Sequence, residues 1–252
     1  MGRGADVVMD RRTVLELGGA AAVGTLLAPG IQLLASPRPP DKTEAASGRR
    51  WAMLIDANKC SSGCTACLSA CREENHVPLF GDAGRDIHWI RKVELRDREH
   101  RKPALSLPVL CNHCEHPPCV HVCPTEASFI RKDGLVLIDE HRCIGCRYCM
   151  IACPYKARSL VYFSTQMPIG GNPRIPVRAK GVVEKCTFCV HRIDDGLQPA
   201  CVEACGHTGG GAMLFGDLND PKTEISQRVK ELRTETIRED LGLKPHVHYQ
   251  GL

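Results

Sequence analysis

An α+β fold of short strands and hairpins, held around bound inorganic groups, is what three features of the 252-residue sequence predict. All sixteen cysteines fall into four quartets, with none left over. One quartet, Cys143, Cys146, Cys149 and Cys153 followed by Pro154, reads C-x2-C-x2-C-x3-C-P, the bacterial ferredoxin ligand run for a [4Fe-4S] cluster. Just before it, SFIRKDGLVLID joins two alternating apolar runs at Asp133-Gly134, a strong hairpin signal.

Composition agrees. Aromatic residues make up only 4% of the chain, so cysteine-held groups must supply what an ordinary aromatic-rich core would. The chain is too long for a disulfide scaffold, and cysteines two apart in one loop rarely form a disulfide framework. The formal charge of +4 is too balanced for a nucleic-acid surface. The mixed-charge stretch containing Arg91, Lys92, Arg96, Arg98, Arg101 and Lys102 reads as a solvated face.

In chain order, residues 1–35 read as a targeting segment. Arg11-Arg12 precedes a weakly hydrophobic, Gly- and Ala-rich stretch that resembles a twin-arginine export signal. Val14 to Ala35 is also long enough for an N-terminal anchor, and Met9 is a second candidate start. Export of folded protein suits this cysteine content, because cluster thiolates need loading before they meet an oxidising compartment. Residues 36–50 read as a linker, rich in Pro, Ser, Ala and charge.

The four-motif domain is expected over 51–218, starting with a strand from Trp51 to Asp56. Motif one is Cys60, Cys64, Cys67 and Cys71, with one extra residue between its first two cysteines, which the Ser61-Ser62-Gly63 bend can absorb with altered local geometry. A strand is expected in IHWIRKVEL, and LSLPVL leads into motif two, Cys111, Cys114, Cys119 and Cys123 with Pro124. After motif three a strand is expected in ARSLVYF. Motif four is Cys186, Cys189, Cys201 and Cys205, where a flexible Gly-rich turn replaces the usual proline. AMLFGDLNDP reads as a strand closing on a turn. Over 219–252, a helix is expected at 222–239, with Ile225, Val229 and Leu232 on one face and Asn219 or Asp220 as cap. The tail LGLKPHVHYQGL carries no motif and is free to lie along a partner.

Sixteen thiols match the ligand count of four cubane clusters. Zinc is the main rival, since four-cysteine zinc sites also use C-x2-C pairs, but zinc does not explain four cysteines within eleven residues followed by Pro. Covalent haem requires C-x-x-C-H, whereas the C-x-x-C pairs here are followed by Leu68, Glu115, Arg147, Met150 and Val190. No quartet lacks a cysteine, so His113, His116 and His121 read as structural or solvent-facing. His207, His246 and His248 are candidates for a partner surface. The sequence contains no nucleophile elbow, phosphate loop or dinucleotide fingerprint, so no catalytic residue is assigned and the evident chemistry is one-electron transfer.

The runs CNHCEHPPCVHVCP, RCIGCRYCMIACPYKAR, KCTFCVHRIDDGLQPACVEAC and AMLFGDLNDP resemble the four-cluster ferredoxin-type subunits of membrane-bound respiratory oxidoreductases, from about Trp51 to about Pro221. That family includes electron-transfer subunits of polysulfide, tetrathionate, dimethyl sulfoxide and nitrite reductase systems. The resemblance implies two interlaced 2[4Fe-4S] ferredoxin-like units, with motif one paired to four and motif two to three. One cluster then takes Cys60, Cys64, Cys67 and Cys205, and its neighbour takes Cys71, Cys186, Cys189 and Cys201. The inner pair takes Cys111, Cys114, Cys119 and Cys153, and Cys123, Cys143, Cys146 and Cys149. Within the family, the twin-arginine segment, the C-x3-C start and the Gly-rich turn most resemble the iron-sulfur subunit of the Dsr membrane complex, associated with dissimilatory sulfite reductase. The resemblance implies a place on the periplasmic face of the membrane, a polytopic quinone-reactive subunit and a multihaem cytochrome c as partners. The alternatives are the wiring subunit of a molybdopterin oxidoreductase, delivering electrons to a catalytic chain, and a structural zinc-binding module.

Overall fold

Strand β1 (Trp51–Asp56) is apolar along almost its whole length, and from Ala52 onward every residue is buried. Such a run suits a strand covered on both faces. It lies inside a four-stranded sheet of order β8-β1-β10-β9, where β8 is Met213–Asp217, β9 Thr234–Glu235 and β10 Val247–Gln250. β8 runs antiparallel to β1 and β10 runs parallel to it, so Met53 pairs with both Phe215 and Val247. Three two-stranded ribbons complete the strands: β2 (Ile90–Leu95) with β3 (Leu105–Leu110), β4 (Ser128–Ile130) with β5 (Val136–Ile138), and β6 (Ser159–Leu160) with β7 (Val183–Glu184).

This computed structural model describes residues 48–96, 104–166, 171–175 and 177–252, all within the unit Ala45–Leu252. The expected export segment 1–35, most of the linker, and Arg98, Arg101 and Lys102 lie outside the described residues. Among the described residues no helix is long and apolar enough to cross a membrane.

Alternation along β1 divides the core in two. Ala52 and Leu54 pack with Ile225 and Val229 of a C-terminal helix. Met53 and Ile55 belong to the main cluster, which also holds Cys67, Cys71, Cys111, Cys153, Cys186, Cys201 and Cys205. The few aromatics concentrate here. Trp51 stacks on Phe215 at 5.3 Å, Phe188 meets Phe215 edge-on at 5.4 Å, and His113 stacks on Phe188 at 4.0 Å.

The β4–β5 hairpin forms where Asp133-Gly134 predicts it. Asp133 is fully buried: it pairs with Arg131 at 2.5 Å and accepts from Trp51 Nε1 at 2.9 Å. Four other expectations change. The strand in ARSLVYF shrinks to Ser159–Leu160, because its partner β7 is only two residues long and Arg158 turns into the interior. The C-terminal helix covers Glu224–Glu231, not 222–239. Thr223 caps it through Ser226 N, in place of Asn219 or Asp220, and Leu232 is already extended, so 234–235 can pair with β10 as β9. The tail is not free for a partner: β10 pairs with β1, and Val247 and Tyr249 are buried. Finally, the Gly-rich segment after Cys205 does not turn at once. Gly206, His207 and Thr208 finish the helix Ala200–Thr208, and Gly209 caps it.

Candidate functional site

Two helices carry cysteines at i and i+4 spacing, which places each pair on one face. Helix α1 (Ala66–Glu74) presents Cys67 and Cys71. The helix Ala200–Thr208 presents Cys201 and Cys205, packs against α1, and all four side chains are buried. Three other helices are short and follow ligand loops: α2 (Pro118–His121), α3 (Tyr148–Ala152) and α4 (Val190–Ile193), so that Ala200–Thr208 is α5 and Glu224–Glu231 is α6. In the C-x2-C loops of motifs two, three and four, the residue before the second cysteine is left-handed: His113 at φ 42°, Gly145 at 66° and Phe188 at 56°. Motif one lacks this conformation at Gly63, as its extra residue leads one to expect. Its loop is tied instead by Lys92, whose Nζ donates to Ser61 O and, at 2.6 Å, to Cys64 O.

Cysteines from different motifs meet. Cys111, Cys114 and Cys119 line one cavity with Cys153, from motif three. Cys143, Cys146 and Cys149 line another with Cys123, from motif two. Cysteines of the outer motifs are neighbours too. Burial first, with the neighbouring Cys205, Cys60 and Cys64 adding to it, pushes the Cys67 thiol up to about 11. Burial also holds Cys201 well above the ordinary thiol value, with Cys189, Cys186 and Cys71 adding to it. Asn75 reaches across this second group, its Nδ2 lying 3.4 Å from Cys189 Sγ and 3.9 Å from Cys71 Sγ.

All sixteen cysteines are free, and only Cys146 is exposed. Among the described residues no three Cys, His, Asp or Glu side chains converge tightly enough to hold a single metal ion. Thiols spread around cavities suit a polynuclear group better than a single tetrahedral zinc. The 4Fe-4S dicluster domain family matches residues 104–167 and 174–218. The chain is 45% identical to Hdr-like menaquinol oxidoreductase iron-sulfur subunit 1 of Archaeoglobus fulgidus, over 97% of this chain and 99% of that one. It is 37% identical to a tetrathionate reductase subunit of Salmonella typhimurium, over 100% and 92%. It is 36% identical to the menaquinone reductase iron-sulfur cluster-binding subunit of Nitratidesulfovibrio vulgaris, over 79% and 88%.

The chain belongs to this family of 4Fe-4S iron-sulfur subunits. It is an electron-transfer subunit of the respiratory oxidoreductase type.

The donor set fits the family's cofactor. Burial pushes Cys114 and Cys186 up to about 12 and Cys71 well above the ordinary value, so these thiols bind as thiolates only where a cationic group displaces their protons. Cys123 differs. Burial pushes it up, but the Ser128 N–H, the Thr125 hydroxyl and N–H, and the Ala127 N–H together bring it below the ordinary value.

Three cations that the sequence does not mark as neighbours of sulfur accompany the thiols. Lys92 stands at motif one. Lys185, 2% exposed, donates to Val136 O and, at 2.8 Å, to Cys186 O. Arg158, 5% exposed, donates to Cys119 Sγ at 2.9 Å. The available signals were position: Lys185 directly precedes a ligand candidate, and Arg158 lies five residues past Cys153. The histidines divide. His113 is fully buried, its Nδ1 accepting from Val136 N at 3.0 Å, while His116 and His121 are exposed. Of the three assigned to a partner surface, His207 is exposed and His248 half-buried. His246 is internal instead: it is buried and bonded to Arg50 and to Asn112 O.

Proposed function

We propose that this chain relays electrons through four [4Fe-4S] clusters between a quinone-reactive membrane subunit and a second redox partner. The observation that carries the reading is the exchange of cysteines between motifs, where each inner cavity takes three thiols from one motif and one from the other. It supports ligand sets of Cys60, Cys64, Cys67 and Cys205; Cys71, Cys186, Cys189 and Cys201; Cys111, Cys114, Cys119 and Cys153; and Cys123, Cys143, Cys146 and Cys149, in two interlaced ferredoxin-like units. Bound clusters supply one-electron redox chemistry. The chain's residues do the rest. The buried thiolates hold each group out of water, Lys92, Lys185 and Arg158 set the charge around it, and Asn75 donates toward two of the sulfurs.

The sets succeed one another through space. Cys67 and Cys201 belong to adjacent outer sets and interact electrostatically, as do Cys186 and Cys111 across the next gap. Arg158 spans the last gap. This order supports a linear wire that ends at the exposed Cys146.

The finer assignment is the iron-sulfur subunit of a Dsr-type complex of sulfur metabolism, without covalent haem, exported by the twin-arginine route to the periplasmic face. The full-length similarity to a subunit named for menaquinol oxidation favours a quinone-linked partner. The second reading, the wiring subunit of a molybdopterin oxidoreductase, draws on the similarity to the tetrathionate reductase chain. Anaerobic affinity purification from detergent-solubilised membranes tests both, with an iron count and mass spectrometry of co-purifying chains. About sixteen irons per chain with a multihaem cytochrome and a polytopic quinone protein is the expected result. A molybdopterin subunit in the cytochrome's place selects the second reading, and zinc in place of iron refutes both.

A further inference from the structure

Arg158 is the one side chain of this region that lines both inner cavities. It follows motif three in CPYKAR, yet only 5% of its surface is exposed. One arm of its guanidinium donates to Cys119 Sγ at 2.9 Å. The other donates to Ser128 Oγ at 2.7 Å, and Cys149, which lines the same cavity as Arg158, feels its charge. Ser128 in turn donates its backbone N–H toward Cys123 Sγ at 3.5 Å. Among the described residues no Asp or Glu forms an ion pair with Arg158. A buried guanidinium needs counter-charge, and the thiolates on its two sides are the groups that supply it.

We propose that Arg158 is a positioning residue shared by the two inner cluster sites, bonded to Cys119 in one and standing against Cys149 in the other, and raising the reduction potential of both. The inference rests on the ligand sets proposed above. One-electron reduction adds a negative charge at a site and breaks no bond. A fixed cation beside the ligand sulfurs stabilises the reduced form over the oxidised form. Because the guanidinium is planar and presents several donors in a fixed fork, it can serve two sites at once, which a lysine ammonium at the same place cannot do equally. The same cation ties the sites together: an electron at one draws on the charge that the other shares.

The test is potentiometric EPR titration of the anaerobically purified complex, comparing wild type with Arg158→Gln and Arg158→Lys, and iron counted in each. Fewer than four clusters in the wild type refutes the ligand sets themselves, an outcome distinct from any change in potential. With the iron count retained, the Gln variant is expected to lower two of the four midpoint potentials by at least about 59 mV, tenfold in a one-electron equilibrium constant. The other two stay in place, and the Lys variant gives a smaller shift of the same two. The affected pair is identified by the signals that disappear in Cys114→Ala and Cys146→Ala. Unmoved potentials, or an equal shift of all four, overturn the proposal. So does loss of iron from the inner pair in both Arg158 variants, which makes the residue structural.

Discussion

Gly145 offers a sharp test of how the third ligand loop is built. It is left-handed at φ 66°, and a Cβ placed on it would stand 2.0 Å from the carbonyl oxygen of Gly181. That carbonyl has little room to retreat, because Gly181 N bonds Val161 O at 2.8 Å and Val161 N bonds Val182 O at 2.9 Å. Gly145→Ala therefore carries two penalties. A left-handed alanine costs about 1–2 kcal/mol, and overpacking against fixed backbone adds about 1–3 kcal/mol. For a domain of this size each kcal/mol corresponds to about 2–4 °C of melting temperature. A drop on the order of 10 °C results, with iron loss from the Cys143–Cys146 loop. Two controls separate the penalties. Gly181→Ala has open space but φ 92°, so it bears the strain alone, and Gly63→Ala has neither strain nor a neighbour within 4 Å. Anaerobic thermal unfolding at one fixed scan rate, with iron content, should rank the three as Gly145 far below Gly181 and Gly181 slightly below Gly63. Equal behaviour of Gly145→Ala and Gly181→Ala would refute this packing of the loop.

Other outcomes rest on single contacts. Cys123→Ala should remove the same cluster signal as Cys146→Ala and spare the one lost in Cys114→Ala, and the reverse pattern in EPR would refute the exchange of cysteines between motifs. Ile225→Ala empties a site that is 1% exposed between Ala52 and Leu54; it should cost about 2–5 kcal/mol in an unfolding assay while the iron count is retained. His246 is pushed down to about 4, chiefly by burial and then by Arg50. An unfolded histidine near 6.5 takes a proton first, so stability falls as the pH drops through that value. Between pH 6.5 and 5 the loss is about 1.5 kcal/mol, and unfolding profiles of His246→Gln should lack that increment.

Much of this arrangement is visible in the sequence wherever chemistry fixes spacing. Trp51–Asp56, the Asp133-Gly134 hairpin and the strand after Gly211 declare themselves locally, because an apolar run or a left-handed turn residue suffices. The structure also brings together the members of each inner set, which cysteine spacing alone does not specify. What escaped detection depends on distant partners. Leu105–Leu110 contains Pro108, which weakens a strand signal, yet it pairs with β2 along its full length. Leu232 continues a helical pattern but is pulled out of it, since the next residues pair with β10. Arg158 and Lys185 look like ordinary surface cations until folding surrounds them with sulfur. His246 looks like a partner-surface residue until its place just before β10 carries it inside.

The parallel pairing of β1 with β10 also has a temporal side. The strand that opens the domain finds one of its two neighbours only after nearly two hundred more residues exist. At ribosomal rates of about 5–20 residues per second, that is on the order of 10–40 s. Throughout that interval the thiols of Cys60, Cys64 and Cys67 stand in a half-built sheet, with Cys205 among the last parts to arrive. On the proposed ligand sets, the outer group of Cys60, Cys64, Cys67 and Cys205 is therefore the hardest to fill during synthesis, and the inner pair, complete by Cys153, is ready first. A cell making this chain must keep the early thiols reduced and unpaired for that whole delay.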